Sequence, residues 1–154
     1  MGGGRQGIAT VVVDARLRDL TGRVRQFLEP RWTAWLRSQG CPKMVTPSQG
    51  TCGRSSLFLS RVLQDNGYPA EFAAGHPAEG RKGFLTSEGW KGHAWVESGG
   101  LILDVTADQF GLPPVVITGA GDPRFGRGTD WTAPEFISRR QRMVEELLAD
   151  WAQQ

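Results

Sequence analysis

Long apolar runs are missing from this chain. None approaches the roughly 18 to 20 residues that a membrane span needs, so no membrane partner is expected. Residues 1–6, Met-Gly-Gly-Gly-Arg-Gln, hold no apolar signal core and no Ser or Thr at position 6. That argues against a secretory leader and against myristoylation. The expectation is a cytoplasmic protein, with delivery to another compartment or cell left open. Cysteine is scarce: Cys41 and Cys52 are the only two. Two cannot build a disulfide framework, and a reducing setting is the default. Histidine is equally scarce, with His76 and His93 alone. No paired-ligand spacing joins these four residues, so no metal site and no cofactor is implied. A surplus of one charge is missing too. Lys plus Arg number 18 against 16 Asp plus Glu, a net charge of +2. Apart from Arg139, Arg140 and Arg142 the basic residues are scattered, unlike the clustered patch of a nucleic-acid binder.

What remains is an ordinary globular composition, 39% hydrophobic and 22% charged, over 154 residues. That length suits one domain spanning residues 1–154. Glycine is the excess: 21 residues, about double ordinary usage. Without collagen periodicity, so much glycine points to tight turns and close backbone approaches. Much of it falls between Gly40 and Gly128, between two glycine-poor ends.

Residues 8–13 are β-branched and suit a strand. Asp14 can cap a helix, since its carboxylate can accept from the free N–H groups of a first turn. Leu17, Leu20, Val24, Phe27 and Leu28 recur at helical spacing; Pro30 breaks the pattern, and Trp32, Trp35 and Leu36 resume it to Gly40. After a loop over 41–51, a second helix runs from Cys52 to Asn66, where Asn66-Gly67 supplies a left-handed stop. Residues 70–74 suit a strand and 75–83 a loop. The strongest strand signal covers 92–106, a hairpin turning at Gly99-Gly100. A short strand over 113–118, a mobile loop over 119–128 and an amphipathic helix over 133–152 complete an α+β chain.

Three residues could share one chemistry. Cys52 stands at a helix start, where partial positive charge and free N–H groups favour a thiolate and can hold a developing oxyanion. A small buried hydrophobe is the plain alternative, and Cys41 takes it by default. His93 lies in a strand and so has a definite face. Asp104 sits inside Leu-Ile-Leu-Asp-Val, where a carboxylate needs a partner. With a turn at Gly99-Gly100, opposed residues have numbers that sum to 199. His93, Trp95, Glu97, Ile102, Asp104 and Thr106 then share a face, and His93 and Asp104 become diagonal neighbours about 7 to 8 Å apart at the backbone. A three-residue loop would send Asp104 to the other face. Cysteine on a helix, histidine on a strand and aspartate on the next form the layout of a thiol hydrolase: base, orienting carboxylate and nucleophile.

The segments Cys52-Gly-Arg-Ser-Ser-Leu, His93-Ala-Trp-Val-Glu97 and Asp104-Val-Thr106 resemble the core of transglutaminase-like, papain-fold cysteine enzymes. Asp104-Val-Thr-Ala-Asp-Gln-Phe110 is similar to papain-fold toxin and protein-glutamine deamidase domains, and the residue order is shared with lasso-peptide leader peptidases. The resemblance covers about residues 49–110. It implies a nucleophile helix packed on a small antiparallel sheet; the extra N- and C-terminal helices expected from periodicity are not explained by it. It implies Cys52 as nucleophile, His93 as base and Asp104 as orienter, acting on a peptide or protein through a thioester: protease, glutamine deamidase or transglutaminase-type chemistry. In papain's own Gln-Gly-x-Cys-Gly-x-Cys string the nucleophile falls three residues later, which would place Ser55 there. Gln49 or Thr51 could add an oxyanion donor, Trp95 could shield the imidazole or line the acyl site, and Gln109 could hydrogen-bond near it. Glu97 and Asp108 are expected to face solvent. The alternative is an inactive domain that keeps the fold as a protein-binding or inhibitory module.

Overall fold

The computed structural model describes residues 13–38, 40, 48 and 51–154. Of the strand expected over 8–13, only Val13 lies within that range, and Cys41 lies outside it. Asp14 opens helix α1 (Ala15–Ser38): its carboxylate accepts from the Arg16 N–H at 2.9 Å and its carbonyl from the Arg18 N–H. The break expected at Pro30 does not occur, and α1 continues through it. The proline ring removes one donor from the helical ladder, at about 3 kcal/mol. Leu28 and Trp32, both fully buried, bracket it in one core. Burying two such side chains at about 1.5 to 3 kcal/mol each offsets that loss.

Helix α2 (Cys52–Asp65) stops as expected, with Gly67 at φ +89° and the Tyr68 N–H returning to the Leu63 carbonyl at 3.0 Å. Helix α3 (Pro134–Ala152) starts with proline in its first turn, where the missing N–H costs nothing, and buries Val144 and Leu147. Seven strands lie between α2 and α3: β1 (Ala70–Gly75), β2 (Gly83–Thr86), β3 (Gly89–Lys91), β4 (His93–Ser98), β5 (Leu101–Asp104), β6 (Val116–Gly119) and β7 (Phe125–Gly126). They form an antiparallel sheet in the order β1-β4-β5-β6 and a smaller antiparallel one in the order β3-β2-β7. The chain is thus α+β.

The hairpin register is the expected one. Val96 pairs with Leu103, Glu97 with Ile102 and Ser98 with Leu101. Gly99 and Gly100 both have positive φ, +55° and +80°, the requirement of a two-residue turn whose twist matches the strands. Alternation then sorts the side chains. Val96, Leu101 and Leu103 join Val24, Leu28, Phe58, Leu59 and Leu63 in the large core under the helices. Ala73, Trp95 and Ile102 pack with Phe125 in a separate cluster.

The smaller sheet was not foreseen. Residues 75–83 contain a 3-10 turn (Pro77–Glu79), and β2 follows directly. The mobile loop expected over 119–128 is instead ordered at its end by β7, which pairs Gly126 with Gly83 and Phe125 with Phe84. The close fit depends on bare backbone: a Cβ on Gly75 would collide with the Gly126 carbonyl and the Gly83 N–H. No described helix is long and apolar enough to cross a membrane.

Candidate active site

Cys52 is the first residue of α2 and is partly exposed. It borders a cavity of about 250 Å3 together with Phe72, Ala74, Gly92 and His93. The 14-residue helix behind it directs its unpaired N–H groups and positive end toward this cavity. Gln49, a candidate oxyanion donor, lies outside the described residues. Thr51, the other candidate, is corrected by its contacts. Its N–H and hydroxyl both donate to the Ser48 carbonyl, at 3.1 and 2.8 Å, and it is buried. Thr51 therefore shapes the turn into α2 and has no donor to offer a ligand.

Ser55 is also removed from the cavity. It is buried against α1, where its hydroxyl accepts from the Trp32 indole N–H at 2.8 Å and donates to the Thr51 hydroxyl at 3.2 Å. One helical turn separates it from Cys52, and that turn points it into the core.

His93 opens β4 and meets Asp104 at the end of β5, as the hairpin register requires. The imidazole Nε2 donates to Asp104 Oδ2 at 2.6 Å. Asp104 Oδ1 accepts from the Thr106 N–H at 2.8 Å and from its hydroxyl at 3.2 Å. Neither the His93 nor the Asp104 side chain has exposed surface. Three donors satisfy this buried carboxyl group.

Four aromatic rings surround the imidazole, none of them recognised together from sequence. Phe110 and Phe84 meet it edge-on at 4.9 and 5.8 Å, Trp95 stacks at 5.9 Å, and Phe125 lies at 6.4 Å. Excluding water raises the energetic weight of the remaining charges. Burial alone pulls His93 toward its neutral form. The Asp104 charge and hydrogen bond act against it with help from Cys52, and the balance pushes His93 up to about 10. Because Asp104 occupies Nε2, Nδ1 is the ring nitrogen left for the Cys52 sulfur.

Gln109, in the 3-10 turn Ala107–Phe110, reaches the same nitrogen. Its side-chain amide lies 3.4 Å from Nδ1 and donates to the Thr106 carbonyl at 3.0 Å. Donation to Nδ1 fits the unprotonated ring, the form that can take a thiol proton. A half-turn of the amide would offer oxygen to the protonated ring. Trp95 is fully buried, donates from its indole to Glu97 at 3.1 Å and does not border the cavity. It packs against the imidazole.

Asp108 departs from expectation. Its side chain is only 11% exposed and pairs with Arg25 at 2.7 Å. The Ser48 hydroxyl is shared between Asp108 and the Thr106 carbonyl. Arg25 also donates to the Val105 and Pro114 carbonyls and pairs with Glu29. Glu97 is half-buried and pairs with Arg127 at 2.8 Å. The signal for Arg25 was present: Leu17, Thr21, Arg25, Leu28 and Trp32 fall on one helical stripe, and an arginine there must find a buried acid.

Among the described residues no group of three or more His, Cys, Asp and Glu side chains gathers as a metal site would need. Compared with protein-family models, with curated proteins and with solved structures, the chain matches none of them.

Proposed function

We propose that the protein is a cysteine-dependent amide hydrolase or acyltransferase on a papain-like, transglutaminase-like core, acting on a peptide or protein through a thioester. The observation that carries this reading is the buried His93–Asp104 pair, held at 2.6 Å through Nε2, with Nδ1 left for a thiol at a helix start in a shared cavity. In the reaction Nδ1 takes the Cys52 proton, and the thiolate attacks the amide carbonyl carbon. The oxyanion forms beside the N–H groups at the start of α2, where charge develops against fixed donors. The C–N bond then breaks, Nδ1 returns its proton to the departing amine or ammonia, and an acyl-thioester remains on Cys52. Water or a second amine, deprotonated by the same nitrogen, releases it. Asp104 holds the ring's orientation and tautomer throughout.

One observation favours the second reading, a non-catalytic binding module: the imidazole has no exposed surface. Alkylation by iodoacetamide near neutral pH separates the two. A nucleophilic Cys52 labels rapidly, Cys52→Ala abolishes both labelling and amide cleavage, and Cys41→Ala leaves both intact. Equal, slow labelling of the two thiols would sink the enzymatic reading.

A further inference from the structure

Beside the Cys52 cavity lies a second, of about 330 Å3, lined by Arg54, Arg139, Arg140, Phe136 and Met143. Gly53, Thr132 and Arg140 border both, so the thiol's cavity adjoins one lined by three guanidinium groups. Arg140 marks the junction: its Nη1 would lie 3.6 Å from a Cβ placed on Gly53, the residue after the nucleophile.

The second cavity is short of negative charge. Arg140 pairs with Asp130 at 2.7 Å. No described carboxylate lies within ion-pair distance of Arg54 or Arg139. The residues outside the description include no Asp or Glu. Arg54 lies over the Trp35 ring at 4.5 Å and Arg139 over Phe136 at 5.5 Å, contacts that hold a guanidinium without neutralising it. Arg140 Nε is buried and has no hydrogen-bond partner among the described residues. Burial and the neighbouring Arg139 both depress Arg54, against the opposing pull of Cys52. Like charges gathered around a cavity, with a buried donor unfilled, leave room for an anion.

We infer that this cavity binds an acidic peptide segment, its carboxylate held by Arg54 and Arg139 while a nearby amide reaches Cys52. This names a substrate class for the proposed enzyme and rests on that reading of Cys52. Guanidinium forks match carboxylates bidentately. The cavity has room for one or two such groups, and Asp130 in the adjoining cavity opposes a long polyanion such as a nucleic-acid backbone. Phe136 and Trp131, 49% and 56% exposed, offer aromatic surface of the kind peptide interfaces use.

The test is equilibrium binding of fluorescein-labelled peptides to Cys52→Ala, measured by anisotropy. The peptides are identical except for paired Glu or paired Gln beside a central Gln, each with an amidated or a free C-terminus. The Glu peptide should bind about tenfold more tightly than its Gln counterpart. The advantage should vanish in added Arg54→Gln/Arg139→Gln and at high salt, survive exposed Arg142→Gln, and return in part with Arg54→Lys/Arg139→Lys. An advantage confined to free C-termini supports the same site with the chain end as the carboxylate source. Equal binding of all peptides, an advantage that survives Arg54→Gln/Arg139→Gln, or tighter binding of a single-stranded oligonucleotide would overturn the inference. Because this binding needs no thiol, its failure leaves the nucleophile reading standing. Failed alkylation with intact peptide preference would instead remove the enzyme and, with it, the assignment of the ligand as substrate.

Discussion

Two buried ion pairs stand on one short segment: His93 with Asp104, and Arg25 with Asp108. Each aspartate is held by several donors, and Thr106 and Ser48 link the two. The difference lies in the cation. A guanidinium can only donate, and Arg25, only 5% exposed along its side chain, spends its donors on two carboxylates and two carbonyls. It ties α1 to the segment after β5 and offers nothing to a ligand. His93 can lose its proton; its second nitrogen lies 3.4 Å from the Gln109 amide, and the residue shares a cavity with Cys52. One pair serves as scaffold, and the other suits proton transfer because its charge can change.

Breaking the scaffold pair should have the largest effect. Arg25→Met strands a buried Asp108 and should cost about 3 to 5 kcal/mol of stability in urea unfolding. Adding Asp108→Leu should recover much of it, since no unpaired buried charge then remains and only the Val105 and Pro114 carbonyls lose their donor. Asp104→Asn should act on the chemistry as well as on the fold. It should slow Cys52 alkylation near neutral pH by about 10²-fold, roughly 2.7 kcal/mol, because Nδ1 loses its basicity and the ring its tautomer.

The titratable pair should also leave a pH signature that the arginine pair cannot. The folded-state pKa of His93 is raised to about 10 from 6.5. Its stabilising contribution is therefore complete below about pH 6.5, declines as pH rises, and is gone above about 10. Subtracting urea curves of His93→Gln/Asp104→Asn from those of the unaltered protein should reveal a difference that shrinks with rising pH across that window. A difference constant from pH 6 to pH 10 would contradict the proton linkage. The smallest effect belongs to the residue between the pairs: Ser48→Ala should cost about 1 kcal/mol. Its Cys52 alkylation rate should fall less than that of Asp104→Asn.

Much of the site could be read locally. Gly99-Gly100 fixed the hairpin's turn, the turn fixed the register, and the two-residue period put His93 and Asp104 on one face. The hidden parts depend on contacts across the chain. Phe84, Phe110 and Phe125 converge on His93 from three separate segments, and no spacing rule connects them. Pro30 misled because a helix breaker is judged locally, whereas Leu28 and Trp32 are held by the whole core. Asp108 reads as a surface residue until α1 brings Arg25 to it. The arginine-lined cavity joins the start of α2 to α3, more than eighty residues apart in the chain.

The glycine excess divides along the same line. Gly99, Gly100 and Gly67 were legible, since turns and helix stops depend on the φ of one or two residues. The meeting of Gly75, Gly83 and Gly126 was not, because close backbone approach between distant strands leaves no local trace. Sequence settled what short-range sterics and periodicity control: helix starts and stops, the central hairpin, and the shared face of His93 and Asp104. Tertiary structure decided what depends on burial and neutralisation. It set which charges are paired, which hydroxyls are already spent, and that the thiol's cavity adjoins one lined by Arg54 and Arg139, which have no described carboxylate within ion-pair distance. Local rules place a side chain on a face; only packing against distant segments decides what it meets there.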